Sequence, residues 1–473
     1  MAARPVPLVV DLDGTLVGTD LLLESLLLLV RQRPWRLLLV PLWLARGRAC
    51  LKRRLAQEVR PAVDTLPYRP ALLAHLEAER RRGTRLVLAT AADREVADEI
   101  ARHLGLFDVV LASDGTVNLA GPAKRDRLVA EFGRHGFDYA GSGRSDRPVW
   151  EAARRAILVR PTRSLAAAVA GVGDVDCVLD AGRPGPLLYL KALRPHQWLK
   201  NALVLVPLIA AQRLYEPELL LLALLAFVAF SLFASSAYLL NDLMDLPGDR
   251  HHPRKKNRPL ASGQLPLQHA LGMIPLLLAG GIALALLLPA PFLALLALYF
   301  GLTLAYSLRL KDVVILDVLL LAGLYTLRVK AGAAAVDVDP SPWLLAFCIF
   351  LFFSLAMVKR YAELMAMRAL EGARAHARGY LLEDSELLAA LGGASGYLAV
   401  LVLAIYATSD LPPAPSDQAL VWVFSGLLLY WISYMWLMAH RARMHDDPLV
   451  FALRDRVSRI LIVLMAVILF AAT

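Results

Sequence analysis

The stretch Asn241-Asp242-Leu243-Met244-Asp245-Leu246-Pro247-Gly248-Asp249-Arg250 sets three carboxylates close together, and His251-His252-Pro253-Arg254-Lys255-Lys256-Asn257-Arg258-Pro259 follows with a cluster of cations. Asp242 and Asp245 share a helical face at a spacing of three. Asp249 would extend that face, but Pro247-Gly248 is expected to end the helix first. Acids at a helix C-terminus face the negative end of its dipole, and close carboxylates raise each other's pKa. A hard divalent cation removes both problems. Oxygen ligands suit Mg²⁺, which also takes phosphate oxygens. The basic run, with Lys255 and Arg258, would then meet the remaining phosphate charge. The competing reading is a solvated loop obeying the positive-inside rule.

Two other places carry chemistry. Tyr306-Ser307-Leu308-Arg309-Leu310-Lys311-Asp312 leads into Val313-Val314-Ile315-Leu316-Asp317-Val318, which sets Asp317 inside an apolar run. An ionisable residue there is costly and by default faces a cavity or a partner. Arg328, eleven residues on, returns to nearly the same helical face, about 16 Å away. Near the start, Pro7-Leu8-Val9-Val10 runs into Asp11-Leu12-Asp13-Gly14-Thr15. Two acids at a strand end, followed by Gly-Thr, can present one carboxylate as nucleophile and the next as general acid/base around Mg²⁺.

The elements that hold these residues follow from an uneven composition. The chain has 473 residues, 58% hydrophobic and 19% charged, too apolar for an ordinary soluble protein. The first 185 or so residues are charge-rich and alternate strand-like with helix-like pieces, which predicts a parallel α/β sheet. The rest is mostly long apolar runs. Residues 21–45 hold two apolar halves too short to span a bilayer, split by Arg31, Arg33, Pro34 and Arg36. They are expected to form a helical cap that lies on the membrane surface or against the membrane body. Ala181-Gly182-Arg183-Pro184-Gly185-Pro186 reads as a linker. Beyond it, nine spans are expected, near 199–213, 217–240, 268–289, 291–308, 313–333, 342–362, 387–408, 418–439 and 457–472. With the head in the cytosol, seventeen Lys and Arg fall on cytosolic loops, against at most three on the other side. That puts the 241–258 cluster on the head's side. The net charge of +10 fits loops at an anionic leaflet, and no aromatic-laced basic patch suggests nucleic acid. The cysteines, Cys50, Cys177 and Cys348, are scattered, without metal or disulfide spacing. No cleavable signal peptide is expected.

The Asp11-Leu12-Asp13-Gly14-Thr15 stretch resembles the first motif of the haloacid dehalogenase (HAD) phosphatase superfamily. The strand Arg85 to Ala89 with Thr90, the lysine of Gly121-Pro122-Ala123-Lys124, and Phe137 to Asp146 resemble its later motifs, with Ser142 standing where related chains carry Asp or Asn. The resemblance implies Asp11 as nucleophile, Asp13 as acid/base, Thr90 and Lys124 as phosphate contacts, and Asp11, Asp13 and Asp146 around the metal.

Asn241, Asp242, Asp245 and Asp249 resemble the N-D-x-x-D-x-x-x-D motif of the UbiA superfamily of intramembrane transferases. Tyr306, Lys311 and Asp317 resemble its second acidic site, although Asp312 and Asp317 are five apart where four is usual. The family implies two Asp-rich sites facing each other, with Asp242, Asp245, Asp249 and Asp317 holding Mg²⁺ and a pyrophosphate. Leu193-Arg194-Pro195-His196-Gln197-Trp198-Leu199-Lys200-Asn201, Lys256 to Gly263 and Val358-Lys359-Arg360-Tyr361 look like its decaprenyl-phosphate phosphoribosyltransferase branch. That branch moves 5-phosphoribose from phosphoribosyl pyrophosphate to a polyprenyl phosphate. Arg194, Lys200, Asn201, Asn241, Lys255, Arg258, Tyr306, Lys311, Arg328, Lys359 and Arg360 would then contact substrate.

The expectation is thus a multi-domain chain in the inner membrane. A cytosolic HAD-like α/β domain takes residues 1–185, with its cap at about 18–80. A linker and interfacial helix take 186–198, and an all-α membrane bundle takes 199–473. Two other functions fit less well: transfer of a prenyl group from a prenyl diphosphate to an aromatic acceptor such as 4-hydroxybenzoate, and non-catalytic lipid binding or transport. The sequence leaves the oligomeric state open.

Overall fold

The computed structural model describes residues 6–171, 174–179, 185–371, 376–377, 379–409, 415–444 and 447–471. Most of the expected linker, at 181–184, and Arg374 and Arg378 of the charge count lie outside the described residues. The chain divides into two compact units, Met1–Leu193 with Tyr238–Ile274, and Arg194–Ala237 with Pro275–Thr473. The first unit is thus larger than the expected 1–185 domain. It takes in the acidic motif and the basic run behind it.

In the first unit six parallel strands form one sheet in the order β3-β2-β1-β4-β5-β6. They are β1 (Leu8–Val10), β2 (Leu86–Asp93), β3 (Val109–Ser113), β4 (Asp138–Gly141), β5 (Arg155–Val159) and β6 (Asp174–Leu179). Successive side chains point to opposite faces of a strand. Leu8 and Val10 accordingly enter one apolar core with Leu86 and Leu88, and Val9 enters the other with Val87 and Ala89. Both faces are covered, which is why these strands read as continuous apolar runs. The strand order reverses beside β1, and such sheets bind ligands at the carboxyl ends of the strands around that switch point. Asp11 follows β1 there.

Two cap helices matter below, α1 (Leu21–Gln32) and α2 (Arg48–Glu58). Asp20 caps α1 by accepting from the Leu23 N–H at 3.1 Å. The apolar segment Pro34–Ala45 between them is too short to cross a membrane.

Among the described residues seven helices are long and apolar enough to span a bilayer. They lie in α3 (Pro217–Met244), α4 (Leu267–Ala285), α5 (Ala290–Leu308), α6 (Leu316–Ala335), α7 (Pro342–Glu371), α8 (Ser385–Ser409) and α9 (Pro415–His440). The protein is a multi-pass membrane protein. The two outermost expected spans differ. Residues around 199–213 fold as a 3₁₀ stretch, Pro195–Leu205, and a short helix, Val206–Ala210, with a proline in the first turn of each. The last run folds as a 16-residue helix, α10 (Arg456–Ala471).

In the second unit the largest apolar cluster joins α6, α7, α8, α9 and α10 through residues such as Val318, Phe352, Leu388, Trp431 and Leu461. A Cβ on Gly332 of α6 would fall 2.0 Å from the Val204 carbonyl oxygen, so only glycine admits the 3₁₀ stretch this close.

Candidate functional sites

In the first unit the sheet brings the phosphatase-like residues together. Asp11, 7% exposed, accepts from Thr15 Oγ1 at 2.8 Å and from Lys124 Nζ at 2.5 Å. Lys124 is also 3.8 Å from Asp146 and donates to Tyr139 Oη at 3.1 Å. Tyr139 in turn donates to Asp146 Oδ1 at 2.8 Å, and Asp146 Oδ2 accepts from the Ser142 and Gly143 N–H groups. Burial alone would lower the Lys124 pKa. Asp11 and Asp146 outweigh it and hold the ammonium above its usual value. The Thr90 hydroxyl, within β2, accepts from the Ala92 N–H at 2.9 Å. The Ser142 hydroxyl lies in hydrogen-bond contact with Thr15 Oγ1 at 2.9 Å.

Asp13 takes the Leu21 N–H at 2.8 Å. Burial first, and then the neighbouring Asp20, push its carboxyl up to about 7. A carboxyl titrating near neutrality can both give and take a proton.

The acidic motif is built differently. α3 stops at Met244 and a short helix, Leu246–His251, restarts with Pro247 in its first turn. Asp242 and Asp249 therefore do not share one helix, yet both meet Arg258. Arg258 Nη1 is 3.0 Å from Asp242 Oδ1 and in contact with Asp249 Oδ2. Both acids are buried, at 4% and 3% exposed. Asp245 instead meets the cap, where Arg31 Nη1 stands 3.6 Å from it and donates to the Met244 carbonyl at 3.1 Å. A second tie from the cap is deeper. Glu24 of α1 takes Arg250 Nη1 at 2.5 Å and Nη2 at 3.1 Å, with both side chains buried. Asn241 accepts the Asp245 N–H at its carbonyl, and Lys255 follows the short helix.

Among the described residues no three His, Cys, Asp or Glu side chains close into a ready metal cage. The donors nonetheless fit one. Two hard carboxylates converge on a single cationic nitrogen, so a cation suits that point. In the phosphatase-like cleft Lys124 stands in the same way between Asp11 and Asp146.

In the second unit Asp317 is 0% exposed. Its Oδ2 accepts from Arg360 Nε at 2.5 Å and its Oδ1 from Tyr380 Oη at 2.7 Å. Arg360 also donates to Tyr306 Oη at 2.9 Å and to Glu363 at 2.6 Å. The expected metal ligand thus has both oxygens engaged, one of them by an expected phosphate contact. The reason is burial, since a lone carboxylate in this interior would be very costly. Ile315, β-branched at φ 68°, donates its N–H to Tyr380 Oη at 2.8 Å, so a strained turn fixes the start of α6.

Arg328 and Asn201 were expected to contact substrate and are found holding each other. Arg328 donates to Asn201 Oδ1 at 3.0 Å and Tyr299 Oη at 2.8 Å, and stacks over the Tyr299 ring at 4.7 Å. Asn201 donates to Ser231 Oγ at 3.1 Å.

Lys200 and Lys359 meet on one acid, with Asp447 Oδ2 taking them at 2.8 and 3.2 Å. Burial works to raise that carboxyl, but Lys359 and then Lys200 outweigh it and hold it well below the usual carboxylate range. Beside this trio lies a small cleft lined by Leu321, Tyr325, Phe352, Leu355 and Leu449. Arg194 starts the 3₁₀ stretch in a left-handed conformation, and Lys311 lies in the turn before α6.

Sequence reasoning missed Thr15, Tyr139, Glu24, Arg31, Tyr380 and Asp447 as members of these clusters. Only Asp447 left a local signal, as an acid just before Pro448 at a helix start.

Comparison with known proteins finds two families along the chain. Residues 202–454 match the model of the UbiA prenyltransferase family, and residues 8–151 match that of haloacid dehalogenase-like hydrolases. An uncharacterised protein of Sinorhizobium fredii, y4nM, is 37% identical over 96% of this chain and 89% of its own length. A decaprenyl-phosphate phosphoribosyltransferase of Corynebacterium glutamicum is 38% identical over 180 residues, 37% of this chain and 54% of that relative. A solved UbiA homologue from Archaeoglobus fulgidus, bound to GPP and Mg²⁺, is 17% identical, covering 60% of this chain and 99% of its own, at a TM-score of 0.45. Matched over more than half of its length, the chain belongs to the UbiA prenyltransferase family of intramembrane transferases, and it carries a haloacid dehalogenase-like hydrolase domain on its N-terminal side.

Proposed function

We propose that the chain moves 5-phosphoribose from phosphoribosyl pyrophosphate to a polyprenyl phosphate and that its hydrolase domain then removes the 5-phosphate. The observation that carries the first step is the opposite wiring of two charged clusters. Two acids converge on Arg258, which suits a metal-bound pyrophosphate, and two lysines converge on Asp447, which suits a phosphate monoester. A likeness to decaprenyl-phosphate phosphoribosyltransferases along 37% of the chain supports the same donor and acceptor.

Asp242 and Asp249, with Asp245, would hold Mg²⁺, which when bound neutralises the leaving pyrophosphate. Arg258 and Lys255 would take phosphate charge as the metal enters. Lys200 and Lys359 would hold the acceptor phosphate, whose oxygen attacks ribose C1. Asp317 is read as the residue that orients Arg360, and Asn201 with Arg328 as bundle structure.

In the hydrolase domain, Asp11 would attack phosphorus, Lys124 and Thr90 would hold the phosphate, and Asp13 would protonate the leaving oxygen. Asp146 would complete the metal site. On this reading both sites face the cytosol at the inner membrane.

Purified protein mixed with Mg²⁺, phosphoribosyl pyrophosphate and a polyprenyl phosphate should release pyrophosphate. Silence there, with turnover of a prenyl diphosphate and 4-hydroxybenzoate, would replace this reading with aromatic prenylation. For the second step, Asp11→Asn should leave the lipid product phosphorylated.

A further inference from the structure

Two cavities meet at Asp13. One, of about 600 Å³, has the polar side chains of Arg69, Arg160, Thr162, Tyr189 and His269 in its wall. The other, of about 560 Å³, lies under the cap and is lined by Leu22, Leu44, Leu51, Leu55, Arg48 and Lys52. Both volumes are in the ordinary range for ligand sites. They differ in what stands at the mouth.

Leu44 lines the second cavity and is itself half exposed. It belongs to the apolar segment Pro34–Ala45, where Trp35 is 62% and Leu38 84% exposed and Leu42 also faces outward. Arg31, Arg33, Arg46 and Arg48 flank that segment, and Arg36 lies within it. Exposed leucines and a tryptophan bordered by arginines describe an element that lies in the interface of an anionic bilayer. The cavity thus has this exposed apolar segment at one end, through Leu44, and the proposed acid/base Asp13 at the other.

Its inner wall changes character. Lys52 donates to the Ala91 carbonyl at 2.6 Å and to Asn118 Oδ1 at 3.0 Å, which fixes its ammonium between the leucines and Asp13. A substrate matching this profile is anionic near Asp13 and apolar further out.

We infer that the cavity under the cap admits a phosphomonoester carried on a lipid, namely a sugar 5-phosphate joined through a phosphodiester to an isoprenoid. The terminal phosphate meets Asp11, the diester lies by Lys52 and Arg48, and the first isoprene units lie against Leu22, Leu44, Leu51 and Leu55. This rests on the hydrolase reading proposed above. The Asp11 carboxylate forms a bond to phosphorus, the bond to the sugar 5-oxygen breaks, and Asp13 supplies the proton to that oxygen. Water then attacks the aspartyl phosphate, Asp13 takes its proton, and orthophosphate leaves.

The test uses the full chain in vesicles of phosphatidylcholine and phosphatidylglycerol. It compares orthophosphate release from synthetic farnesyl-phosphoryl 5-phosphoribose and from ribose 5-phosphate. The lipid-linked substrate should have a kcat/KM about 100-fold higher, because it alone buries apolar carbons on binding. Replacing the exposed Leu38, Leu42 and Leu44 by serine should cut that preference about tenfold, chiefly through KM. Their exposure keeps the fold out of the outcome, and Lys52→Met should also weaken the preference. Equal turnover of the two substrates would overturn the inference. So would a preference that survives the serine changes and is lost in Arg160→Gln, which would move the substrate to the other cavity. The lipid-linked substrate is supplied ready-made, so failure of the transferase reading leaves this test standing. Hydrolysis of neither substrate overturns the hydrolase reading and the inference with it.

Discussion

Arg258 and Asp447 are wired in opposite senses. At Arg258 one guanidinium nitrogen receives two carboxylates, those of Asp242 and Asp249. At Asp447 one carboxylate oxygen receives two ammonium groups, those of Lys200 and Lys359. The first arrangement gains from a further cation, the second from a further anion. Asp317 is a third case, in which a fully buried acid has both oxygens taken, by Arg360 and Tyr380, while the second carboxylate on Arg360, that of Glu363, is partly exposed to water. On the proposed function the clusters at Arg258 and Asp447 exchange partners with a ligand, and the buried Asp317–Arg360 contact stays in place.

The largest effect should come from the over-subscribed acids. Asp242→Ala or Asp249→Ala should cut transferase turnover by about 10³-fold, since each removes charge aimed at the leaving group. The melting temperature should hold, because Arg258 keeps the other acid. A protein that loses its fold instead would erase the distinction from Asp317.

Next, Arg360→Met should cost about 3 kcal/mol or more, because it leaves the Asp317 carboxylate buried and unpaired. Adding Asp317→Asn should recover a large part of that loss in a thermal or denaturant titration. Additive effects would mean that the pair is not the locked unit described here. Glu24→Ala belongs in the same class. It strands Arg250 behind the acidic motif and should destabilise by a similar amount, with transferase activity falling in step.

The lysines should give a smaller, more selective effect. Lys200→Ala and Lys359→Ala should each raise KM for the polyprenyl phosphate about tenfold while changing KM for the donor much less, as expected for one charged hydrogen bond. An equal rise for both substrates would blur the comparison.

The smallest effect is in pH. The Asp447 carboxyl is held low in the folded protein, so its contribution is fully present above the ordinary carboxylate pKa. It is lost as pH falls through the lower, folded value. Asp447→Asn should therefore flatten the acid limb of the stability curve while leaving the shape near neutrality unchanged.

Much of this was legible in the chain itself. Asp11-Leu12-Asp13-Gly14-Thr15 announces a strand end with two acids because the apolar run before it fits only a sheet covered on both sides. Lys124 and Asp146 were expected in the same site as Asp11 from their likeness to the later phosphatase motifs, and the sheet brings the three side chains together. The long helices were legible from length and apolarity, since a bilayer sets both. The outermost runs were not. Pro195 and Pro207 break the first into short pieces, and the last is shorter than a span.

What the sequence determined by itself was the inventory: a phosphatase-like α/β domain, a helical membrane body, and acids and cations whose types suit phosphate and metal chemistry. Local spacing and burial propensity fix such features, because they act over a few residues. Only the tertiary structure decided which charges are spent and which remain. It paired Asp317 with Arg360 across 43 residues, Arg328 with Asn201 across 127, and Glu24 with Arg250 across 226. Nothing in local periodicity encodes those partners. They follow from the demand that a charge removed from water find an opposite charge or a hydrogen bond wherever the fold brings one.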